Sequence, residues 1–324
     1  MTSDQIIKSL QENYGYNHIL ANSVAFKANK ELDNCNDVDS IIAWFNNNKP
    51  KPFVKWVGGK RQLLKQFKLM DLFPPKGFVS AKAKYFEPFV GGGAVFFDLL
   101  PQNAVLSDMN EELVITYNVI KNNVEGLIKS LKKHKLDKEY FLKIRAQNPE
   151  KLSDINIASR FIYLNKTGFN GMYRVNGSGK FNVPFGSQKN PLVCDEDNLR
   201  KASAYLKNIT ILQRNYTEVL KEAKKGDFIY FDPPYHPLNE TSSFTGYTAG
   251  GFSLKEQENL RDVYFELHKR GCFVMLSNSN TEFINNLYSG LDEKIKIHKV
   301  DATRMINSKA ERRGKIKEVL VVNY

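Results

Sequence analysis

From residue 53 onward, short apolar runs rich in β-branched and aromatic residues alternate with longer runs of helical period. Few layer architectures accept that alternation, and the simplest is an α/β fold with helices on the faces of a mixed, mainly parallel sheet. Lys84-Tyr85-Phe86-Glu87, Ala104-Val105-Leu106-Ser107, Ile209-Thr210-Ile211-Leu212, Asp227-Phe228-Ile229-Tyr230-Phe231 and Cys272-Phe273-Val274-Met275-Leu276 read as buried strands. The stretches 109–122, 254–269 and 281–288 read as helices. The last run, Lys317 to Tyr324, has no helix after it and is expected as an antiparallel edge strand.

Two regions depart from the alternation. Residues 1–48 read as a small three-helix unit, with breaks at Tyr14-Gly15-Tyr16 and Asp33-Asn34-Cys35-Asn36-Asp37. A polar, Pro-punctuated linker, Asn46 to Pro52, separates it from the sheet region. Residues 125–205 begin with a lysine-dense helical stretch and continue into a Gly/Asn/aromatic loop at 165–188, which reads as an insertion with its own task. The segments 53–124 and 206–324 then form one sheet domain around it.

Charge separates the same regions. Residues 1–50 hold four lysines against six acids, so the chain's net charge of +12 resides wholly in the rest. A basic surplus of that size suits a polyanionic partner and equally suits plain solubility. No long uncharged apolar run suggests a membrane span, and the start, Met1 to Leu10, does not read as a secretory signal. The three cysteines are far apart and odd in number, which fits a reduced cytoplasmic protein. The five histidines show no cluster with cysteine and no HxxxH spacing, so no metal is expected.

Chemistry concentrates where strands stop. Asp232-Pro233-Pro234-Tyr235 directly follows the apolar run 228–231, and open α/β sheets bind ligands beyond the carboxyl ends of their strands. An exocyclic aromatic amine is a poor nucleophile because its lone pair is delocalised. A carboxylate (Asp232) and a rigid carbonyl (Pro233) can accept its two N–H bonds, and Tyr235 can stack on a flat base for about 1–3 kcal/mol. The plainer alternative is a strand end, a proline turn and a core tyrosine. Glu87-Pro88-Phe89-Val90-Gly91-Gly92-Gly93 also follows a strand, and its glycines allow close backbone approach to a ligand. It is neither a GxGxxG fingerprint nor a P-loop. Asp108 ends the next strand, where an acid can take ribose hydroxyls or cap the helix that follows. In Phe53 to Arg61, Trp56 and Lys60 flank two glycines, and Lys60 can meet a carboxylate or simply be solvated.

Lys55-Trp56-Val57-Gly58-Gly59-Lys60, the glycine run at 87–93 and Asp-Pro-Pro-Tyr at 232–235, in that order with a long insertion between the last two, resemble the Dam-type class of adenine-N6 DNA methyltransferases. The resemblance covers residues 53–324. It implies a Rossmann-like methyltransferase fold, S-adenosylmethionine as methyl donor, duplex DNA as substrate, flipping of the target adenine, and catalysis by Asp232, Pro233, Pro234 and Tyr235. It further implies cofactor contacts at Trp56, Lys60, Asp108 and Asp232, with Pro88, Phe89 and Gly91 shaping the pocket. Asn215-Tyr216 stands where the family commonly has Asp-Phe beside the cofactor adenine.

The loop 165–188 resembles the target-recognition hairpin of the GATC-specific members. By that likeness Lys55, Met172, Arg174 and Pro184 face bases and Phe169 and Asn170 occupy the stack. Gln188, on the same side, stands where those members often have Tyr. Ser277-Asn278-Ser279 and Thr245-Gly246-Tyr247 read as further active-site loops. The unit at 1–48 resembles ubiquitin-associated three-helix modules, and a protein partner, a dimer contact or a passive appendage all fit it. An RNA or protein-amide methyltransferase, or a DNA-binding regulator with an inactive fold, are the competing readings. A bacterial or phage-encoded protein is implied.

Overall fold

The computed structural model describes residues 2–13, 18–32, 37–56, 58–60, 63–73, 78, 82–238, 252–303 and 315–324. Of the expectations above, the breaks at 14–16 and 33–36, Val57, Arg61 and the Thr245-Gly246-Tyr247 loop lie outside the described residues.

The expected strands occur as β1 (Tyr85–Glu87), β2 (Ala104–Asp108), β3 (Thr210–Gln213), β4 (Phe228–Phe231) and β5 (Phe273–Ser279), all parallel. Two more, β6 (Lys296–Thr303) and β7 (Lys315–Val322), complete a sheet in the order β3-β2-β1-β4-β5-β7-β6. β4 is buried at every position, because a run of Phe-Ile-Tyr-Phe can be satisfied only when both faces of the sheet are covered. Phe228 and Tyr230 join one core and Ile229 and Phe231 the other.

Two expectations about the carboxyl-terminal part are corrected. β7 is antiparallel to β5 but is no edge strand; it lies between β5 and β6, and β6 forms the edge. β6 escaped notice because its sequence, Lys-Ile-His-Lys-Val-Asp-Ala-Thr, offers only a half-apolar alternation. Ser277-Asn278-Ser279 is the end of β5 and no loop, since Ser277 pairs with Leu320 and Ser279 with Glu318.

Helices cover both faces. α4 (Leu64–Leu69), α5 (Phe96–Leu99) and α6 (Glu111–Asn122) precede the inserted region, and α11 (Leu254–Lys269) and α12 (Glu282–Tyr288) follow β4 and β5. Asn110 caps α6 through its side-chain oxygen, 3.0 Å from Leu113 N. The helix that follows the glycine run, α5, begins only at Phe96 and spans four residues.

The inserted region holds α7 (Val124–Leu131), α8 (Lys138–Ala146), α9 (Asp154–Thr167) and α10 (Glu196–Leu206). The single lysine-dense helical stretch is thus two helices, broken where His134 lies between Tyr140 and Ser159, 3.0 Å from each. A buried ion pair fastens this region to the sheet: Arg160 of α9 meets Glu112 of α6 at 2.7 Å and also donates to the Ile144 and Arg145 carbonyls. Beyond α9, the chain forms a narrow hairpin. Its rungs are the Gly168–Phe185 and Val175–Phe181 bridges and the Phe169 N to Pro184 O bond of 2.9 Å.

At the amino end, α1 (Ser3–Glu12), α2 (His18–Glu31) and α3 (Val38–Asn48) pack around Ile6, Leu10, Ile41 and Phe45. Leu20, Ala21, Ser23, Val24, Ala25 and Ala28 of α2 are all buried. Contacts tie these helices to the rest: Lys49 Nζ lies 3.4 Å from Asp98, Lys27 Nζ lies 3.3 Å above the Tyr205 ring, and Gln102 donates to the Asn22 carbonyl.

Candidate active site

The strand order reverses between β1 and β4, since the chain builds outward through β2 and β3 on one side and through β5 on the other. Such a switch point leaves a crevice at the carboxyl ends of the two strands. The glycine run leaves β1 there and Asp-Pro-Pro-Tyr leaves β4 there.

Lys60 and Asp232 join the two sides. Lys60 Nζ lies 2.7 Å from Asp232 Oδ1, with the lysine side chain only 2% exposed. The same ammonium donates to the Gly58 carbonyl and sits 4.7 Å from the Tyr235 ring centroid. Burial raises the Asp232 carboxyl to about 6, although Lys60 pulls it down. Glu87, at the end of β1, accepts from the Tyr85 hydroxyl at 2.7 Å and from Phe96 N at 3.2 Å. Burial pushes it up to about 8, so it is mostly neutral at pH 7. Tyr235 donates its hydroxyl to Glu318 of β7 at 2.8 Å.

The glycine run forms a cradle. Gly91 has φ +46°, and a Cβ there would lie 2.6 Å from Trp56 Cδ1. Gly91 N donates to Asp108 Oδ2 at 3.1 Å and its carbonyl accepts from the buried Tyr117 hydroxyl at 3.0 Å. Asp108 Oδ1 accepts from Asn110 N at 2.9 Å; burial raises this carboxyl, with the backbone donors working against it. The helix cap is therefore Asn110, and Asp108 faces the cradle. Beside it, Phe89 stacks on Tyr216 at 5.3 Å and meets the edge of Phe252 at 5.9 Å, a small aromatic cluster at the rim of the cradle. Pro88 is buried behind it. Asn215 is exposed and its oxygen accepts from Thr217 N at 2.9 Å, capping the turn that carries Tyr216.

One dipeptide connects this cradle to the hairpin. Trp56 lies on Gly91 and stacks on Tyr173 at 5.8 Å. Lys55 has both its N–H and its carbonyl bonded to the Asn165 amide, at 2.9 and 2.8 Å, and its side chain covers Gly171. Phe169, Asn170, Arg174 and Pro184 are exposed on the hairpin and Met172 is half-buried. Arg174 donates to Asn182 at 2.7 Å. Asn170 adopts a left-handed conformation with φ +55° at the hairpin shoulder. Gln188 is exposed and lies past Gly186, whose N–H makes the hairpin's closing bond to Thr167.

The sequence profile of the D12 class N6 adenine-specific DNA methyltransferase family matches residues 56–306. The chain belongs to this family. It is 45% identical over 282 residues to the type II methyltransferase M1.LlaDCHI of Lactococcus lactis subsp. cremoris, covering 85% of this chain and 95% of that one. Type II methyltransferase M.MjaIII of Methanocaldococcus jannaschii is 44% identical over 85% of this chain and 99% of its own. The DNA adenine methylase of Escherichia coli K12 is 31% identical over 85% and 95%. The mixed, mainly parallel sheet is thus that of a methyltransferase, an enzyme that needs a methyl donor and acts on DNA. Residues 1–55 lie outside the family match.

Several residues of this candidate site were not legible in the sequence. Glu318, Gln257 and Phe252 come from β7, α11 and the segment before α11. A polar residue inside a helix resembles a solvated face, and only the charge within the apolar β7 run could have flagged Glu318. Among the described residues, no group of acids, histidines and cysteines could hold a metal ion, and no helix is long and apolar enough to cross a membrane.

Proposed function

We propose that this methyltransferase transfers the methyl group of S-adenosylmethionine to N6 of an adenine flipped out of duplex DNA, with GATC as the target. The observation that carries the reading is the pairing of Lys60 with Asp232 at the junction of the glycine cradle and the Asp-Pro-Pro-Tyr loop. The residues fit the donor: the Gly91 cradle leaves no room for a Cβ, and half-buried Phe89 offers an aromatic face to an adenine ring. Trp56, Gly91 and Asp108 would hold its ribose and chain, Phe89 and Tyr216 its base, and Lys60 its carboxylate. When bound, the donor supplies an electrophilic methyl group.

The chain's own residues do the rest by positioning. Tyr235, anchored through Glu318, offers its face to the flipped base. The Pro233 carbonyl and Asp232 accept the two N6–H bonds, which favours a tetrahedral nitrogen with its lone pair directed at the methyl. Lys60 meets Oδ1 of Asp232 and keeps the carboxylate ionised near neutral pH. Formation of the N–C bond would break the methyl's bond to the donor's sulfonium sulfur, which would leave as a neutral thioether, and the nitrogen would then shed one proton that Asp232 can take and return to water.

Duplex recognition falls to the hairpin of residues 168–186, aided by Lys55, with 125–205 as the recognition region and 53–124 plus 206–324 as the catalytic domain. Exposed Arg174 and Lys55 suit base edges and phosphates. The names of the relatives support DNA adenine as substrate, and the cytoplasm of a bacterial or phage-infected cell is where it would act.

The test is transfer of labelled methyl to unmethylated plasmid, with Asp232→Ala beside it and the modified adenines mapped. Label on N6 at one motif, lost in Asp232→Ala, supports the reading. Label on RNA alone, or tight DNA binding without transfer, overturns it. Arg174→Ala should relax the choice at one base pair, by about 1–3 kcal/mol, while cofactor affinity holds.

A further inference from the structure

We infer that Gln257 and Asn278 are positioning residues: a buried two-amide chain from α11 to β5 that fixes the backbone on both sides of Tyr235. The inference rests on the catalytic loop assigned above and adds residues that touch neither base nor cofactor.

Both side chains are sealed from solvent, at 1% and 0% exposure. Gln257 Nε2 donates to the Pro234 carbonyl at 3.0 Å, and Gln257 Oε1 accepts from Asn278 Nδ2 at 3.0 Å. Asn278 Oδ1 then accepts from His236 N at 3.1 Å and from Ser279 N at 2.8 Å. Ser279 Oγ closes the arrangement by donating to the His236 carbonyl at 2.6 Å.

The two ends of the chain leave no choice of orientation. A carbonyl at Pro234 requires a donor, so Gln257 must present nitrogen there and oxygen to its neighbour. The N–H groups of His236 and Ser279 require an acceptor, so Asn278 must present oxygen there and nitrogen to Gln257. Amides at both positions satisfy all three backbone groups and each other. A polar network so deeply buried is costly if half-made, and a helix–sheet contact would pack as well with apolar residues. Its polarity is accounted for by what it holds: the residues flanking the ring that faces the base. With Glu318 gripping the Tyr235 hydroxyl, the loop is pinned at backbone and side chain together.

The experiment compares wild type, Asp232→Ala, Asn278→Ala, Asn278→Asp and Gln257→Glu by single-turnover methyl transfer to duplex DNA. Cofactor and DNA affinities and thermal midpoints are measured on the same preparations. Asn278→Ala and Gln257→Glu should lower the transfer rate by about 100-fold, the scale of a small misplacement at a reacting centre, with cofactor affinity within about threefold of wild type.

Asn278→Asp supplies a readout that loss of folding cannot mimic. Its carboxylate keeps the acceptor for His236 and Ser279 but sets an oxygen against Gln257 Oε1. Protonation restores the donor, so its rate relative to wild type should rise as pH falls, the titration of Asp232 cancelling in the ratio and Glu318 being common to both proteins. Variants at the wild-type rate, rates that fall only in proportion to cofactor affinity, or a ratio flat with pH would each overturn the inference while the Asp232→Ala control still upheld the assigned chemistry. A wild type that transfers no methyl would overturn both.

Discussion

Lys60 Nζ stands 2.7 Å from Asp232 Oδ1, a buried cation against a carboxylate that burial has raised to about 6. In the proposed reaction the ionised form of Asp232 is the one that accepts N6–H bonds. A raised pKa means that this form is lost as pH falls through about 6. Single-turnover methyl transfer should therefore rise with pH through about 6 and then level. Lys60→Met removes the attraction that opposes burial, so its acid limb should move to higher pH at saturating cofactor and DNA. An unmoved limb in Lys60→Met would show that another group sets the profile.

The cradle should be intolerant of one methyl group. Gly91→Ala places a Cβ 2.6 Å from Trp56 Cδ1 and 2.7 Å from Nε1, at φ +46°. Trp56 cannot retreat, because Tyr173 is stacked behind it at 5.8 Å. Strain at such a backbone costs of order 1–3 kcal/mol before any clash. Cofactor affinity, read by calorimetry, should fall at least about tenfold. Gly226→Ala is the control: its φ of +88° brings similar strain, yet no atom lies within 4 Å of the added carbon. It should lose stability and keep cofactor affinity; equal affinity losses in the two variants would refute the cradle.

What could be read from the sequence follows a physical line. β4 and the Asp-Pro-Pro-Tyr loop were legible because a fully apolar run followed by two prolines has few alternatives. The glycine run and Trp56 were legible as neighbours only through the resemblance, since nothing local says that a tryptophan 35 positions earlier will rest on Gly91. Glu318 and Gln257 were hidden because their partners, Tyr235 and the Pro234 carbonyl, are brought to them by sheet order and helix docking. The Ser277-Asn278-Ser279 stretch was noticed for its polarity and misplaced in a loop for the same reason. Its hydrogen-bonding side chains mimic a turn, while antiparallel pairing with β7 makes it strand.

Glu87 gives a stability test. Its carboxyl, bonded to the Tyr85 hydroxyl at 2.7 Å, is raised from 4.5 to about 8 by burial. A raised folded pKa contributes stability in full below the unfolded value, and that contribution is lost as pH climbs through the folded one. Between roughly pH 4.5 and 8 wild type should lose about 1.4 kcal/mol per pH unit through this group. Glu87→Gln keeps an acceptor for Tyr85 and Phe96 and has no charge to lose. Its melting temperature should match wild type near pH 4.5, exceed it increasingly up to about pH 8, and then run parallel. A difference independent of pH would mean that Glu87 is already ionised in the fold.

The packing of α2 against the rest of the protein makes a brace the role to test for the amino-terminal helices. α2 is buried through Leu20, Ala21, Ser23, Val24, Ala25 and Ala28, and it borders α5 just beyond the cradle. Lys49 and Lys68 both hold Asp98 of α5, so part of that grip lies outside the three helices. The cradle has anchors of its own in Asp108 and Tyr117. Removing residues 2–48 should therefore lower the melting temperature by several degrees, since the apolar surface under α2 would face water. At 25 °C the truncated protein should keep the methyl-transfer rate and cofactor affinity of the full chain. An unchanged melting temperature would argue against a brace. A lost transfer rate at unchanged stability would instead give these helices a part in catalysis.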